Sequence, residues 1–169
     1  MNRLMVDIET LGTSKRAAIL SAAFVVFNLD GIIDRLEFFY NPERQKGRVI
    51  EFATVAWWMD QSAEARAAAF KPPFQSSPIP SLEEVKRKWI EHDIKEVWAR
   101  GATFDIVLLE DWLYGWPWHF RQVMCMRSLL MLYPSIPLVS PTLKHSALAD
   151  AEAQAEWTRQ VLRIHGVKE

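Results

Sequence analysis

The sequence predicts one α/β domain over residues 1–169, built on a mixed five-stranded sheet flanked by helices. Three observations predict it. Three β-prone segments fill the first forty residues, the middle is helical and broken by prolines, and a β-α-β unit leads into a long alanine-rich closing helix.

The elements follow in order. Arg3 to Ile8 is short, apolar and β-prone, and it ends on acidic residues. Ala18 to Phe27 is rich in Ile, Val and Phe with little polar interruption, as in a strand buried on both faces. Asn28-Leu29-Asp30-Gly31 supplies turn chemistry, so Ile32 to Tyr40 forms a hairpin with the strand before it. Thr54 is the expected cap of a short helix through Asp60, and Ser62 opens an alanine-rich one. Pro72-Pro73 and Pro78-Ile79-Pro80 bracket a loop, after which Ser81-Leu82-Glu83-Glu84 has capping-box form. The helix it starts repeats Leu82, Val85, Trp89 and Ile90 at helical spacing. Lys95 to Ala99 reads as the fourth strand, Phe104 to Tyr114 as a helix ending at Gly115-Trp116-Pro117, Val123 to Met126 as the fifth strand and Ser128 to Leu132 as a short helix. The last helix begins near Leu143 or His145 and stops at Gly166.

Composition narrows the function. Half of the 169 residues are hydrophobic and 24% are charged, which excludes a mainly disordered chain. Twenty basic and twenty-one acidic residues give a net charge of −1, so the chain does not advertise a polyanion partner by charge alone; bound divalent cations can supply positive charge locally. A single cysteine, Cys125, excludes an internal disulfide. The longest apolar stretch, Ala17 to Phe27, is far shorter than the ~20 residues of a membrane span. The N-terminus runs straight into Asp7 and Glu9, unlike a signal peptide, and a cytoplasmic protein is expected.

Four carboxylates fall where an α/β sheet concentrates its chemistry, at strand ends and helix starts. Asp7 and Glu9 lie two apart on one strand and so project to the same face. Neighbouring anions repel and resist desolvation unless a cation joins them, and an oxygen-rich cluster suits Mg²⁺ or Mn²⁺. Asp105 follows the fourth strand; capping alone also accounts for an Asp there. Asp150 lies in Ala147-Leu148-Ala149-Asp150-Ala151, whose small residues predict close packing on the sheet. His145 precedes it by five residues, about 140° away on a continuous helix. A helix that begins just after His145 frees the imidazole to reach the same site, where it can take a proton from water.

Asp7-Ile8-Glu9-Thr10-Leu11-Gly12, Phe104-Asp105 and His145-x4-Asp150-Ala151 resemble, in order, the three exonuclease motifs of the DnaQ-like superfamily in its DEDDh form. The resemblance covers essentially the whole chain. Thr54-Val55-Ala56-Trp57-Trp58 with Gln61-Ser62 is similar to the short bacterial and phage 3′–5′ exoribonuclease-like group, some members of which are called exonuclease VIII. It implies an RNase H-like fold and a metal-dependent nuclease with two Mg²⁺ or Mn²⁺ ions. Asp7, Glu9, Asp105 and Asp150 would hold the metals, with His145 as the general base. The implied substrates are 3′ ends of single-stranded RNA or DNA, RNA being favoured, and the products are nucleoside 5′-monophosphates. Thr10, Leu11, Gly12, Phe104 and Trp57 are the implied substrate contacts; for Leu11 and Phe104, ordinary core packing is the competing reading. The resemblance admits a homodimer and implies no membrane partner. Two departures stand out. Arg100-Gly101-Ala102-Thr103 replaces a segment in which many relatives carry asparagine, and Ser146 stands where asparagine is frequent. A DNA-specific 3′–5′ exonuclease and a non-catalytic nucleic-acid-binding module on the same fold are the rival readings.

Eight tryptophans invite comparison with base-stacking proteins. Trp89, Trp98, Trp112 and Trp157 sit in regular elements and are expected in the core, whereas adjacent Trp57 and Trp58 cannot both face it. Arg44, Lys46, Arg48 and Lys86-Arg87-Lys88 are candidate phosphate contacts, the last run being more simply a solvated face. His92, His119 and His165 show no partner pattern.

Overall fold

In the computed structural model, which describes residues 1–72 and 74–166, strands β1 (Asn2–Thr10), β2 (Ile19–Phe27) and β3 (Ile32–Phe39) form an antiparallel meander. Pro73 of the expected Pro72-Pro73 loop and the last three residues of the expected domain lie outside the described residues. Helices α1 (Phe52–Met59), α2 (Ala63–Ala69) and α3 (Ile79–Glu91) follow. Strand β4 (Ile94–Ala99), helix α4 (Asp105–Trp112), strand β5 (Val123–Cys125), helix α5 (Met126–Leu132) and helix α6 (Ala147–Ile164) complete the chain. The sheet order is β3-β2-β1-β4-β5, with β4 parallel to both β1 and β5. Three strands therefore end along one edge of the sheet, where an open α/β sheet offers a crevice to ligands.

Period-two alternation along β1 divides the core. Leu4, Val6 and Ile8 face a layer containing Leu82 and Val85 of α3 and Ile106 and Leu109 of α4. Met5 faces the other way, against a layer containing Ala147, Ala151, Ala155 and Leu162 of α6. The alanines keep α6 close to the sheet, and Asp7 and Glu9 continue the Met5 face. All nine residues of β2 are buried, as expected of a strand covered on both sides.

Several boundaries differ from expectation for identifiable reasons. Helix α3 begins at Ile79 with Pro80 inside its first turn, where a missing N–H costs nothing. Ser81 is consequently not the cap: its hydroxyl is buried, donating to the Pro78 carbonyl at 2.7 Å and accepting from the Tyr40 hydroxyl at 2.8 Å. Thr54 likewise lies within α1, which starts after Glu51. Ser62 does cap α2, accepting from the Ala65 N–H at 3.1 Å. Helix α6 starts after Ser146, which leaves His145 outside the helix. Trp98 and Trp157 are core residues, as are Trp116 and Trp118, whose rings stack at 5.2 Å; Trp89 and Trp112 are only partly buried. Among the described residues no helix is long and apolar enough to cross a membrane.

Candidate active site

Three elements deliver the acidic residues. Asp7 and Glu9 sit near the C-terminal end of β1. The turn after β4 carries the chain through Arg100-Gly101-Ala102-Thr103 to Asp105, the first residue of α4. Asp150 lies in the first turn of α6. Asp105 is only 7% exposed, and the other three carboxylates are partly buried.

Electrostatically the four carboxylates feel one another. Burial pushes the Asp7 carboxyl well above its usual range, and the charges of Asp105, Glu9 and Asp150 push it further. Glu9 rises to about 8, through burial first and then through Asp150 and Asp105. Burial lifts Asp105 to about 6 against backbone hydrogen bonds and the charge of Arg127. Asp150 is also raised by burial, opposed by the His145 N–H and, more weakly, by Arg100. None of the four forms an ion pair with lysine or arginine among the described residues. Among the described residues no three of these carboxylates bring oxygens within 4.8 Å of one another, so the group is an open set of hard oxygen donors of the kind that divalent cations draw together.

The structure adds a residue that sequence reasoning missed. Gln154, 6% exposed, donates from Nε2 to Asp7 Oδ1 at 2.7 Å, which opposes the upward push on that carboxyl. It lies four residues beyond Asp150, so helical spacing alone put both on one face of α6.

His145 reaches the cluster through its backbone. Its N–H donates to Asp150 Oδ2 at 2.8 Å, and its φ is +61°. The imidazole packs edge-on against Trp57, with ring centroids 4.9 Å apart, and against Trp58 at 6.1 Å.

Beside the acids lies a cleft of about 480 Å³, within the range of small-ligand sites. Glu9, Thr10, Gly12, Glu51, Trp57, Trp58 and Phe104 all line it. Thr10 is held from both ends: its hydroxyl donates to the Gly12 carbonyl at 2.6 Å, and its carbonyl accepts from Trp58 Nε1 at 2.8 Å. Gly12 leaves no room for a side chain, since a Cβ there would lie 2.9 Å from the Glu51 carboxyl and 3.1 Å from Ala17 Cβ. Glu51, also missed in the sequence, fastens the following loop by accepting from the N–H groups of Thr13 at 3.0 Å and Ser14 at 3.1 Å. Trp57 is 42% exposed on the cleft wall, whereas Trp58 touches the cleft only from within the core, packed with Leu11, Leu20 and Ala69. Leu11 turns the other way, packing with Ala18, Leu20, Trp58 and Ala69, and does not wedge into the cleft.

Other candidates have structural roles. Arg48 is buried, donating to the Leu108 and Lys15 carbonyls at 2.8 and 3.0 Å with Asp111 3.6 Å away, instead of facing solvent as a phosphate contact. Arg87 pairs with Glu84 and Glu91 on the α3 surface. The histidines do have partners: His119 caps a 3₁₀ turn and His165 stacks on Tyr133. His92 joins Asp34 and Glu91 in a group whose ligand atoms lie within 4.8 Å. Lys88 Nζ already sits 2.5 Å from Asp34 Oδ2 there and, with His92, holds Asp34 down at about 2, so this group is a satisfied ion-pair network.

The chain belongs to the 3′–5′ exoribonuclease Rv2179c-like domain family, whose model matches residues 2–162. It is 27% identical over 121 residues to the exodeoxyribonuclease of Enterobacteria phage T4, a match covering 63% of this chain and 53% of that protein, so it spans about half the length of that relative. Among solved structures it resembles the nuclease domain of 3′hExo, a DEDDh family member bound to rAMP, with TM-score 0.64, 11% identity and coverage of 96% and 92% of the two chains. It also resembles exonuclease X in complex with 5′ overhanging duplex DNA, with TM-score 0.58, 18% identity and coverage of 98% and 94%. The fold is the RNase H-like α/β fold of these exonucleases.

Proposed function

We propose that this member of the family is a divalent-cation-dependent 3′–5′ exonuclease that hydrolyses the terminal phosphodiester of single-stranded RNA and releases nucleoside 5′-monophosphates. One observation carries the reading: an anionic cup of Asp7, Glu9, Asp105 and Asp150 opens through Glu9 onto a cleft of nucleotide size walled by Trp57, Trp58 and Phe104.

Asp7, Glu9 and Asp150 would hold one cation, and Asp7 with Asp105 a second. Mg²⁺ or Mn²⁺ held there would supply positive charge beside the reacting phosphate and make a nearby water more acidic. The protein's own groups do the rest. His145 accepts the proton of the attacking water. The water oxygen bonds to phosphorus and the P–O3′ bond breaks; the departing O3′ takes a proton from solvent, leaving a 3′-hydroxyl on the shortened strand and a 5′-phosphate on the departing nucleotide. Gln154 fixes the Asp7 carboxylate, while Thr10, Gly12, Phe104 and Trp57 line the space for the terminal sugar and base.

The family description supports RNA as the substrate, as does a structural neighbour bound to rAMP. The phage exodeoxyribonuclease and the DNA complex of exonuclease X support a second reading, a DNA exonuclease on the same site. The retention of all four acids and His145 speaks against a purely binding module. The test is hydrolysis of 5′-labelled single-stranded RNA and DNA of one sequence, with Mg²⁺, with Mn²⁺ and with EDTA. Stepwise shortening of RNA from its 3′ end that EDTA abolishes is the expected result. Faster shortening of DNA gives the second reading, and release from neither rejects catalysis.

A further inference from the structure

A smaller cavity of about 140 Å³ adjoins Asp150 and shares no lining residue with the nucleotide cleft. Asp150 and Gln154 line it together with Arg100 and a wall from Leu138 to Pro141. Its polar lining is Arg100, Ser140, Asp150 and Gln154. Gln154 is fixed there by its Nε2 bond to Asp7. Arg100 is exposed at its rim and has neither a hydrogen-bonded nor an ion-paired side chain among the described residues.

Arg127 stands next to it. Ala99 and Cys125 are partners in the parallel β4–β5 ladder, so Arg100 and Arg127 leave the sheet at the same edge as Asp7 and Glu9. A Cβ built on Gly101 would lie 3.7 Å from the Arg127 guanidinium and 3.6 Å from Asp105 Oδ2, so this guanidinium lies over the backbone immediately after Arg100. Arg127 is also exposed and without a bonded partner among the described residues. Arg3, Arg35, Arg48, Arg87 and Arg159, by contrast, are each paired with a carboxylate. Two guanidiniums beside four carboxylates without pairing to any of them are placed to meet an anion that the carboxylates themselves repel.

We propose that Arg100 and Arg127 form a phosphate clamp that grips the backbone of the strand upstream of the scissile bond, beside Asp105 and Asp150 and outside the terminal-nucleotide cleft. This deepens the exonuclease reading and rests on it for the direction of the strand. Guanidiniums suit the task because each presents a planar fork of N–H donors to phosphate oxygens. The clamp acts on strand affinity and leaves the hydrolytic step to the cup.

The test uses a 5′-fluorescein octanucleotide with Ca²⁺ present to neutralise the carboxylates. Fluorescence anisotropy gives Kd for the wild-type chain, Arg100→Gln, Arg127→Gln and the double variant at several salt concentrations. The expected result is a Kd raised about 10-fold in the double variant and a log–log salt slope shallower by about 1.4, or ~0.7 per lost phosphate contact on a single strand. Arg100→Lys retains most of the slope, and Arg121→Gln, which precedes β5 where Arg127 follows it, leaves it unchanged. In hydrolysis, the double variant loses about 10-fold in kcat/KM on the octanucleotide, mainly through KM. It stays within about twofold of wild type on thymidine 5′-(p-nitrophenyl phosphate), which has no upstream backbone. An unchanged salt slope, no octanucleotide binding by the wild type at low salt, or equal losses on both substrates overturns the clamp. Arginine-dependent binding without hydrolysis by the wild type leaves the clamp standing and overturns the exonuclease reading.

Discussion

The backbone N–H of His145 donates to Asp150 Oδ2 at 2.8 Å, tying the residue just outside α6 to the carboxylate in its first turn. That bond offsets the cost of a left-handed φ of +61°, of order 1 kcal/mol for a non-glycine residue. Because the main chain makes this bond, the imidazole is left to pack against Trp57. His145→Gly keeps the bond and relieves the backbone, so its melting temperature holds while kcat falls by about 10²- to 10⁴-fold. Asp150→Asn abolishes turnover and weakens Mn²⁺ binding, whereas His145→Gly leaves that binding intact. Isothermal titration with Mn²⁺ beside kinetics on labelled RNA separates the two effects.

The crowded carboxylates make stability depend on pH. Glu9, Asp7, Asp105 and Asp150 all have raised folded-state pKa values, so between the ordinary carboxylate range near 4 and about 8 the folded chain holds more protons than the unfolded one. Their contribution is present in full below about pH 4 and is lost as the pH rises through 6 for Asp105 and 8 for Glu9. In EDTA the melting temperature therefore falls from pH 5 to pH 8 by several degrees, each kcal/mol corresponding to roughly 2–4 °C in a domain of this size. Mg²⁺ or Mn²⁺ restores it, with the larger gain at pH 8.

The same repulsion predicts a trade between stability and activity. Glu9→Gln removes one charge from the cup, so in EDTA at pH 8 the variant melts above the wild type, by roughly 2–5 °C. Glu9→Gln and Asp7→Asn both lose hydrolysis. Thermal melts at pH 8 and pH 5 check this, since the difference shrinks at pH 5, where Glu9 is already protonated.

Gly12 and Glu51 are coupled through space. A methyl group at position 12 would meet a carboxyl that three hydrogen bonds from Thr13 and Ser14 hold in place. Gly12→Ala costs about 1–3 kcal/mol of stability and raises KM. In a Glu51→Ala background the same substitution costs less, because the main obstruction is gone and only Ala17 Cβ remains close. A double-mutant cycle by chemical denaturation reads the coupling.

The two adjacent tryptophans separate cleanly. Trp58→Phe leaves the Thr10 carbonyl without its indole donor and costs about 1–3 kcal/mol. Trp57→Ala, on the exposed cleft wall, changes stability little but raises KM for the oligonucleotide. Denaturation midpoints and steady-state kinetics on both variants provide the check.

Much of this was legible in the chain. The alternation in β1 put Asp7 and Glu9 on one face, the uninterrupted apolar run of β2 announced a strand covered on both sides, and the alanines around Asp150 announced close packing on the sheet. Boundaries slipped where a side chain had a distant competitor. Ser81 accepts from the Tyr40 hydroxyl, forty-one residues away, while donating to the Pro78 carbonyl, and Glu51 spent its carboxylate on Thr13 and Ser14 rather than on a helix cap. Arg48 looked like a surface cation and is a buried donor to carbonyls on two other segments.

By itself, then, the sequence determined the strand and helix periodicities, the families of residues on each face and the three short segments that carry the acids, because these depend on neighbours within a few positions. Tertiary structure alone decided that Gln154 would hold Asp7 across 147 residues, that Leu11 would turn inward while Trp57 turned outward, and that Arg100 and Arg127 would stand unpaired beside the acids. Such choices depend on which atoms packing brings within a few ångströms, and chain spacing does not encode that distance.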